Sequence, residues 1–190
     1  INTHHLSTQI DEYVKNGPHA DWVTLSHEPT LLGSAGTLLS HHNVLSGSDF
    51  LVAHADNLSI IDWPAFSARH ARRRPHLVGT MMTFLTDDPR SCGIVEIDED
   101  GTLRNMHEKV ERPPGRIANA AVYLFGPSIF EAIGSPHAPW LTDISRDMIP
   151  LLYGRLTTFF NAQYHRDIGS LTSLNIANED FPLIKSPSNG

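Results

Sequence analysis

Phe50-Leu51-Val52-Ala53-His54-Ala55-Asp56-Asn57 is an almost wholly apolar run that stops at a carboxylate. It predicts a buried strand over residues 50–55. An acid at the carboxyl end of such a strand stands where open α/β sheets place their ligands. A second acid, Asp167, lies in Tyr164-His165-Arg166-Asp167-Ile168-Gly169-Ser170, another strand-to-turn junction. Two such acids brought together repel unless a proton or cation lies between them. A hard divalent ion that also bridges phosphate oxygens meets that need. The plainer alternative is that each Asp caps the next helix or turn.

Outward from that run the pattern alternates. Ile1-Asn2-Thr3 reads as the end of a strand already under way, with at least one element expected before it. Leu6, Ile10, Tyr13 and Val14 share one helical face, with Ser7 as its cap and Asn16-Gly17-Pro18 as its stop. Trp22–Leu25 predicts a short strand, and Leu31–Leu39 passes from loop into helix. Asp62-Trp63-Pro64 opens a further helix that ends before Pro75. Leu77–Phe84 is a long strand candidate. Gly93–Ile97 and Leu103–Glu108 flank Asp98-Glu99-Asp100-Gly101, a hairpin signal. Ala120–Phe125 predicts a buried strand and Pro127–Ile133 a short helix. Ile144, Met148, Leu151 and Leu152 have helical spacing, capped by Thr142 or Asp143. Leu156–Phe160 is strand-like, and Ser170 caps a last helix carrying Leu171 and Leu174. The expectation is one α/β domain over 1–182 and a flexible tail over 183–190. Its Rossmann-like mixed sheet would be mainly parallel, covered by helices, with an inserted antiparallel hairpin.

Composition narrows the function. The 190 residues are 40% hydrophobic and 18% charged, ordinary globular values. A net charge of −7 argues against nucleic acid as a partner. The basic cluster Arg69, Arg72, Arg73 and Arg74 reads as a solvated helix end. Cys92 is the only cysteine, so no disulfide forms within the chain, and a reducing cytoplasm is expected. A packed thiol is its expected state. No apolar run reaches the length of a membrane span. His4-His5 and His41-His42 lack the spacing and cysteine partners of a zinc site. No Gly-x-Ser-x-Gly elbow supports a hydrolase triad.

Three further groups carry chemistry. Gly33-Ser34-Ala35-Gly36 opens a helix and could admit a ligand to backbone amides, or could simply be a tight packing turn. Glu108-Lys109 could serve a sugar hydroxyl and a phosphate if the chain bends there, since strand neighbours face opposite ways. Otherwise the pair is a charged sheet edge. Asn119 could bind a polar ligand or cap a turn before its strand.

The order of these motifs resembles the sugar-1-phosphate nucleotidylyltransferases, nearest the mannose-1-phosphate or heptose-1-phosphate guanylyltransferase-like members. Leu32-Gly33-Ser34-Ala35-Gly36-Thr37-Leu38 is similar to their base-contacting Leu-Gly-Thr-Ala-Gly loop. Phe50–Asp56 is similar to the strand ending in the metal-binding Asp. Cys92-Gly93-Ile94-Val95 resembles the Tyr-Gly-Val-Val strand beside the sugar, and Glu108-Lys109 the pair that holds the sugar and its phosphate. Asn119-Ala120-Ala121-Val122-Tyr123 resembles Asn-Ala-Gly-Ile-Tyr. Asp167-Ile168-Gly169-Ser170 resembles Asp-Ile-Gly-Thr, whose Asp is the second metal ligand.

The resemblance implies a GT-A type fold, nucleoside triphosphate and sugar 1-phosphate as substrates, and Mg²⁺ as cofactor. It implies Asp56, Lys109 and Asp167 as catalytic residues, with Asp56 and Asp167 on the metal. Gly33, Gly36, Thr37, Asn57, Gly93, Glu108 and Asn119 would bind substrate. Two features depart from the pattern: Ala121 replaces a Gly, and the N-terminal Gly-x-Gly-x-Arg signature is absent. The second departure predicts that the chain by itself is poorly active. A non-catalytic nucleotide-sugar sensor and a GT-A glycosyltransferase are the alternatives, the latter lacking its Asp-x-Asp at His54-Ala55-Asp56. Base, sugar and assembly into a homo-oligomer stay open.

Overall fold

The computed structural model describes residues 1–134 and 138–185. Strand β1 (Asn2–Thr3) pairs in parallel with β2 (Ser26–His27), and helix α1 (Ser7–Lys15) lies between them in the chain. Leu6, not Ser7, holds the cap position of α1, at φ 52° and with no side-chain cap. The strand expected at Trp22–Leu25 is displaced to β2. Pairing decides this: Ser26 N donates to Ile1 O and Glu28 N to Thr3 O, while Trp22 is exposed.

Helices α2 (Gly33–Ser40) and α3 (His42–Leu45) lead into β3 (Phe50–Ala53) and β4 (Asn57–Ile60). Helix α4 (Trp63–Ala71) is capped as expected, with Asp62 Oδ1 accepting from Ala65 N at 3.0 Å. Then come β5 (Gly79–Leu85), β6 (Gly93–Ile97), β7 (Leu103–Glu108), β8 (Ile117–Phe125) and α5 (Ile129–Ala132). The chain closes with β9 (Leu156–Phe160), β10 (Tyr164–Asp167) and α6 (Leu171–Lys185). Ser170 Oγ accepts from Ser173 N at the start of α6. Of the expected tail, residues 183–185 belong to α6, and 186–190 lie outside the described residues.

The large sheet runs β7-β6-β8-β5-β9, with β3 also paired to β8. Strands β3, β5, β6 and β9 point one way, but among them only β5 and β9 are neighbours. Strand β8 runs against them from the middle of the sheet, so adjacent strands pair antiparallel except for β5 with β9. Alternation along the strands serves two layers. Met81, Tyr123 and Phe125 join the main core with Ile129, Met148 and Leu156. Met82, Ala120 and Val122 meet Phe66 of α4 on the other face.

Two expectations change here. The run 50–55 is not a buried strand: pairing stops at Ala53, β3 pairs only with β8 among the described residues, and Leu51 is 46% exposed. Successive side chains of a strand point to opposite faces, and the face carrying Leu51 and Ala53 is left open to solvent. Residues 144–152 form no α-helix. A π turn over Ile144–Met148 is followed by a 3₁₀ turn over Ile149–Leu152. Pro150 has no N–H to give to the preceding turn. Asp143 caps the π turn through Arg146 N at 2.8 Å.

The arginine cluster is mostly structural. Arg69 donates to Thr158 O and Asp100 O, Arg74 to Asp100 and Thr102, and Arg73 to Asp49. These bonds lash α4 to the hairpin turn and to the approach of β3.

Candidate active site

After Ala53 the chain turns through His54–Asp56 and returns as β4. Strand β4 pairs antiparallel with β10, which sets Asn57 opposite Asp167 in the ladder. Ile168 N then donates to Asp56 O at 2.7 Å. Gly169 measures the convergence that results. A Cβ built there would lie 3.0 Å from Asp167 Oδ1 and 3.2 Å from Asp56 Oδ2. The two carboxylates therefore face one point, and Gly169 N holds Asp167 Oδ1 at 2.7 Å. Both aspartates are exposed to water. Two carboxylates at an open position suit Mg²⁺, which binds through one or two acids and completes its shell with water and phosphate oxygens. Among the described residues no group of three His, Cys, Asp or Glu makes a closed metal cage. The acids line a cleft of about 780 Å³ together with Phe84, Cys92, Arg116 and His165.

The second cluster forms where β7 ends. Lys109 takes a left-handed conformation, φ 49°, immediately after Glu108, the last residue of the strand. This is the bend that lets both side chains turn the same way, and Lys109 Nζ lies 3.9 Å from Glu108 Oε1. Lys109 N is held on Cys92 O at 3.2 Å. Gly93 sits opposite Glu108 in the ladder, and a Cβ there would come within 2.5 Å of Glu108 Oε2. Gly93 thus gives the carboxylate its place. Burial raises the pKa of Glu108, Asp143 adds to the rise, and Lys109 and Arg146 oppose it.

Asn119 lies inside β8, not before it. Its Oδ1 accepts from Ala121 N at 3.0 Å, and its Nδ2 donates to Tyr123 Oη at 2.7 Å and Ser145 Oγ at 3.3 Å. It therefore clamps a kink at Ala121, which stands at φ 51°. Asn57 likewise bonds protein, its Nδ2 donating to Ala120 O at 3.0 Å.

Gly33–Thr37, expected as a loop opening a helix, already lie in the first turns of α2, and here they serve packing. Gly33 has φ 76°, and a Cβ would run into Thr142 O. Ala35 N donates to Thr142 O, and Ile144 N to Ser34 Oγ. Gly36 is close to Leu32, where a Cβ would lie 3.0 Å from the Leu32 Cβ. Thr37 donates to Glu28. These contacts seat the start of α2 on the segment whose Asp143 acts on Glu108.

Two residues escaped the sequence reading, Glu28 and Arg116, and a third, Tyr123, stood in it only as the last residue of a motif. Glu28, 4% exposed, accepts from Thr37 Oγ1, Leu32 N and Asn2 Nδ2 and orders the loop ahead of α2. An acid just before a Gly-rich loop was its only signal. Tyr123 is fully buried, and burial pushes its pKa up to about 12. Arg116, whose Nε is fixed on Thr86 O at 2.9 Å, lines the cleft and had no motif around it.

Among known proteins, the chain is 34% identical over 110 residues to mannose-1-phosphate guanylyltransferase catalytic subunit beta from Drosophila pseudoobscura pseudoobscura, covering 57% of this chain and 29% of that protein. It is 28% identical over 150 residues to glucose-1-phosphate thymidylyltransferase from Streptomyces griseus, covering 75% and 41%. The alignments thus span well under half the length of these relatives. In three dimensions it matches HddC from Yersinia pseudotuberculosis with a TM-score of 0.75 at 22% identity, covering 95% of this chain and 76% of that one. A putative glucose-1-phosphate thymidylyltransferase from Bacillus anthracis gives 0.76 at 19% identity, covering 100% and 78%. These likenesses establish the fold. The Nucleotidyl transferase family model matches residues 1–182, nearly the whole chain, and this chain belongs to that family.

Proposed function

We propose that the protein carrying this chain transfers a nucleotidyl group from a nucleoside triphosphate to a sugar 1-phosphate, releasing pyrophosphate. The observation that carries the reading is the meeting of Asp56 Oδ2 and Asp167 Oδ1 at Gly169, in a cleft large enough for a phosphorylated substrate. A phosphate oxygen of the sugar 1-phosphate forms a bond to the α-phosphorus as the bond to the β-phosphate oxygen breaks. Such chemistry needs positioning and charge stabilisation more than acid–base work. Asp56 and Asp167 would hold Mg²⁺, which supplies charge neutralisation at the phosphates. Lys109, turned by its left-handed backbone, faces the sugar phosphate. Glu108, half-buried over Gly93, accepts from sugar hydroxyls. Gly33, Gly36 and Thr37 shape the nucleotide side of the site.

A guanylyl preference, with a mannose-type or heptose-type sugar, is the finer reading. It rests on the overall resemblance and on relatives named as mannose-1-phosphate guanylyltransferases. Thymidylyl and adenylyl relatives match over similar lengths. The cytoplasm is the proposed compartment, on the strength of one free thiol, Cys92. Among the described residues no helix is long and apolar enough to cross a membrane.

Pyrophosphate release from a matrix of nucleoside triphosphates and sugar 1-phosphates with Mg²⁺ tests the proposal. One pair should turn over, and Asp56→Asn should lower kcat by about a hundredfold or more. Lys109→Ala should raise KM for the sugar phosphate more than KM for the nucleotide. Nucleotide-sugar binding without any pyrophosphate release would instead indicate a sensor.

A further inference from the structure

We infer that Asn57 is a positioning residue that couples the two acids of the cation site to the sugar-side kink of β8. The inference rests on the reading of Asp56 and Asp167 as cation ligands.

Asn57 stands at a junction of three elements. It follows Asp56 directly and faces Asp167 in the β4–β10 ladder. Its side chain leaves that ladder and donates from Nδ2 to Ala120 O at 3.0 Å, across 63 residues of chain. The carbonyl it reaches is no ordinary strand carbonyl. Strand β8 pairs with β3 through Val122–Phe125 and with β6 through Ala118, so it changes partner across Asn119–Ala121. The register against β5 slips over the same stretch, from Met81–Tyr123 to Thr83–Asn119. Ala121, at φ 51°, carries the kink. An irregular stretch of this kind keeps its shape only if its freed backbone groups find partners. Two asparagines supply them: Asn119 Oδ1 takes Ala121 N, and Asn57 Nδ2 takes Ala120 O.

The path continues beyond the kink. Asn119 Nδ2 donates to Tyr123 Oη and Ser145 Oγ, and Ser145 lies in the π turn that Asp143 begins. Asp143 is one of the charges acting on Glu108. Asn57 is thus the link by which a cation that draws Asp56 and Asp167 together would tighten the kink beside the sugar-side residues. A residue acting only as a substrate ligand would not transmit that effect in the absence of substrate.

The test needs no substrate. Mn²⁺ binding is measured by electron paramagnetic resonance, and amide hydrogen exchange is followed by mass spectrometry with and without saturating Mn²⁺. In the wild-type protein Mn²⁺ should slow exchange in peptides spanning 118–123 by about threefold or more. Asn57→Ala should keep Mn²⁺ affinity within about threefold of wild type yet lose that slowing. Asn57→Ser provides the same comparison should the alanine variant fail to fold. Slowing that persists in the variant, or that never occurs in a wild type that binds Mn²⁺, overturns the coupling and leaves the cation site standing. No Mn²⁺ binding by the wild type, or undiminished binding by Asp56→Ala, removes the cation site and the coupling with it.

Discussion

Ala121 adopts φ 51° in the middle of a strand, a conformation that costs a residue with a Cβ about 1 kcal/mol or more relative to glycine. Ala121→Gly should therefore raise the unfolding free energy by about 0.5–1 kcal/mol in urea titrations, the gain being reduced by glycine's looser unfolded chain. Gly93 makes the opposite case. An added methyl there meets the flexible end of Glu108 before anything else. Gly93→Ala should leave stability within about 1 kcal/mol of wild type while raising KM for the sugar phosphate by about tenfold, because it displaces a side chain and not the backbone. A fall in stability with unchanged KM would show that Glu108 is not a ligand. Residues of this kind were only partly legible in the sequence. The motif order singled out Gly93, Glu108 and Asn119, but a left-handed Lys109 is invisible to composition and periodicity. That Asn57 and Asn119 serve backbone groups of β8 follows from a kink that no pattern announces.

Elements tell a similar story. The glycine-rich start of α2 was legible, and of its two readings the packing one describes the observed contacts. Gly33→Ala must place a methyl against the backbone of Thr142 at a positive φ. It should cost about 2–4 kcal/mol, read as a lower denaturant midpoint. The Asp100-Gly101 hairpin was legible because Gly101 needs its φ of 84°. The segment 144–152 departs from the helix its spacing predicts, because apolar spacing does not distinguish an α-helix from a π turn joined to a 3₁₀ turn. Pro150 was the available warning. Strand β3 differs from the buried strand its apolar run predicts, because such a run does not reveal whether both faces of a strand are covered.

At the scale of the molecule, the layers were legible and the strand order was not. Alternation of strands and helices fixes an α/β fold. The reversed β8, which gives the sheet its mostly antiparallel neighbours, depends on contacts between distant parts of the chain. One such contact makes stability depend on pH. His70 is buried where α4, β5 and the approach of β3 meet, with Nδ1 3.0 Å from Thr80 Oγ1 and Nε2 3.3 Å from Asp49 Oδ2. Burial lowers its pKa, Arg73 adds to the effect, and Asp49 opposes it. The unfolded chain then takes up a proton below about pH 6.5 that the folded protein refuses, so stability is full above that pH and falls as acid is added. The unfolding midpoint in urea should drop between pH 7.5 and 5.5, and His70→Gln should flatten that slope.

The proposed chemistry depends on Asp56 and Asp167 gripping one cation. Anomalous diffraction from a crystal soaked in Mn²⁺ would locate that ion. A single strong peak is expected, with one oxygen of each carboxylate about 2 Å away. A peak on only one of the two acids, or none between them at saturating Mn²⁺, would contradict that chemistry.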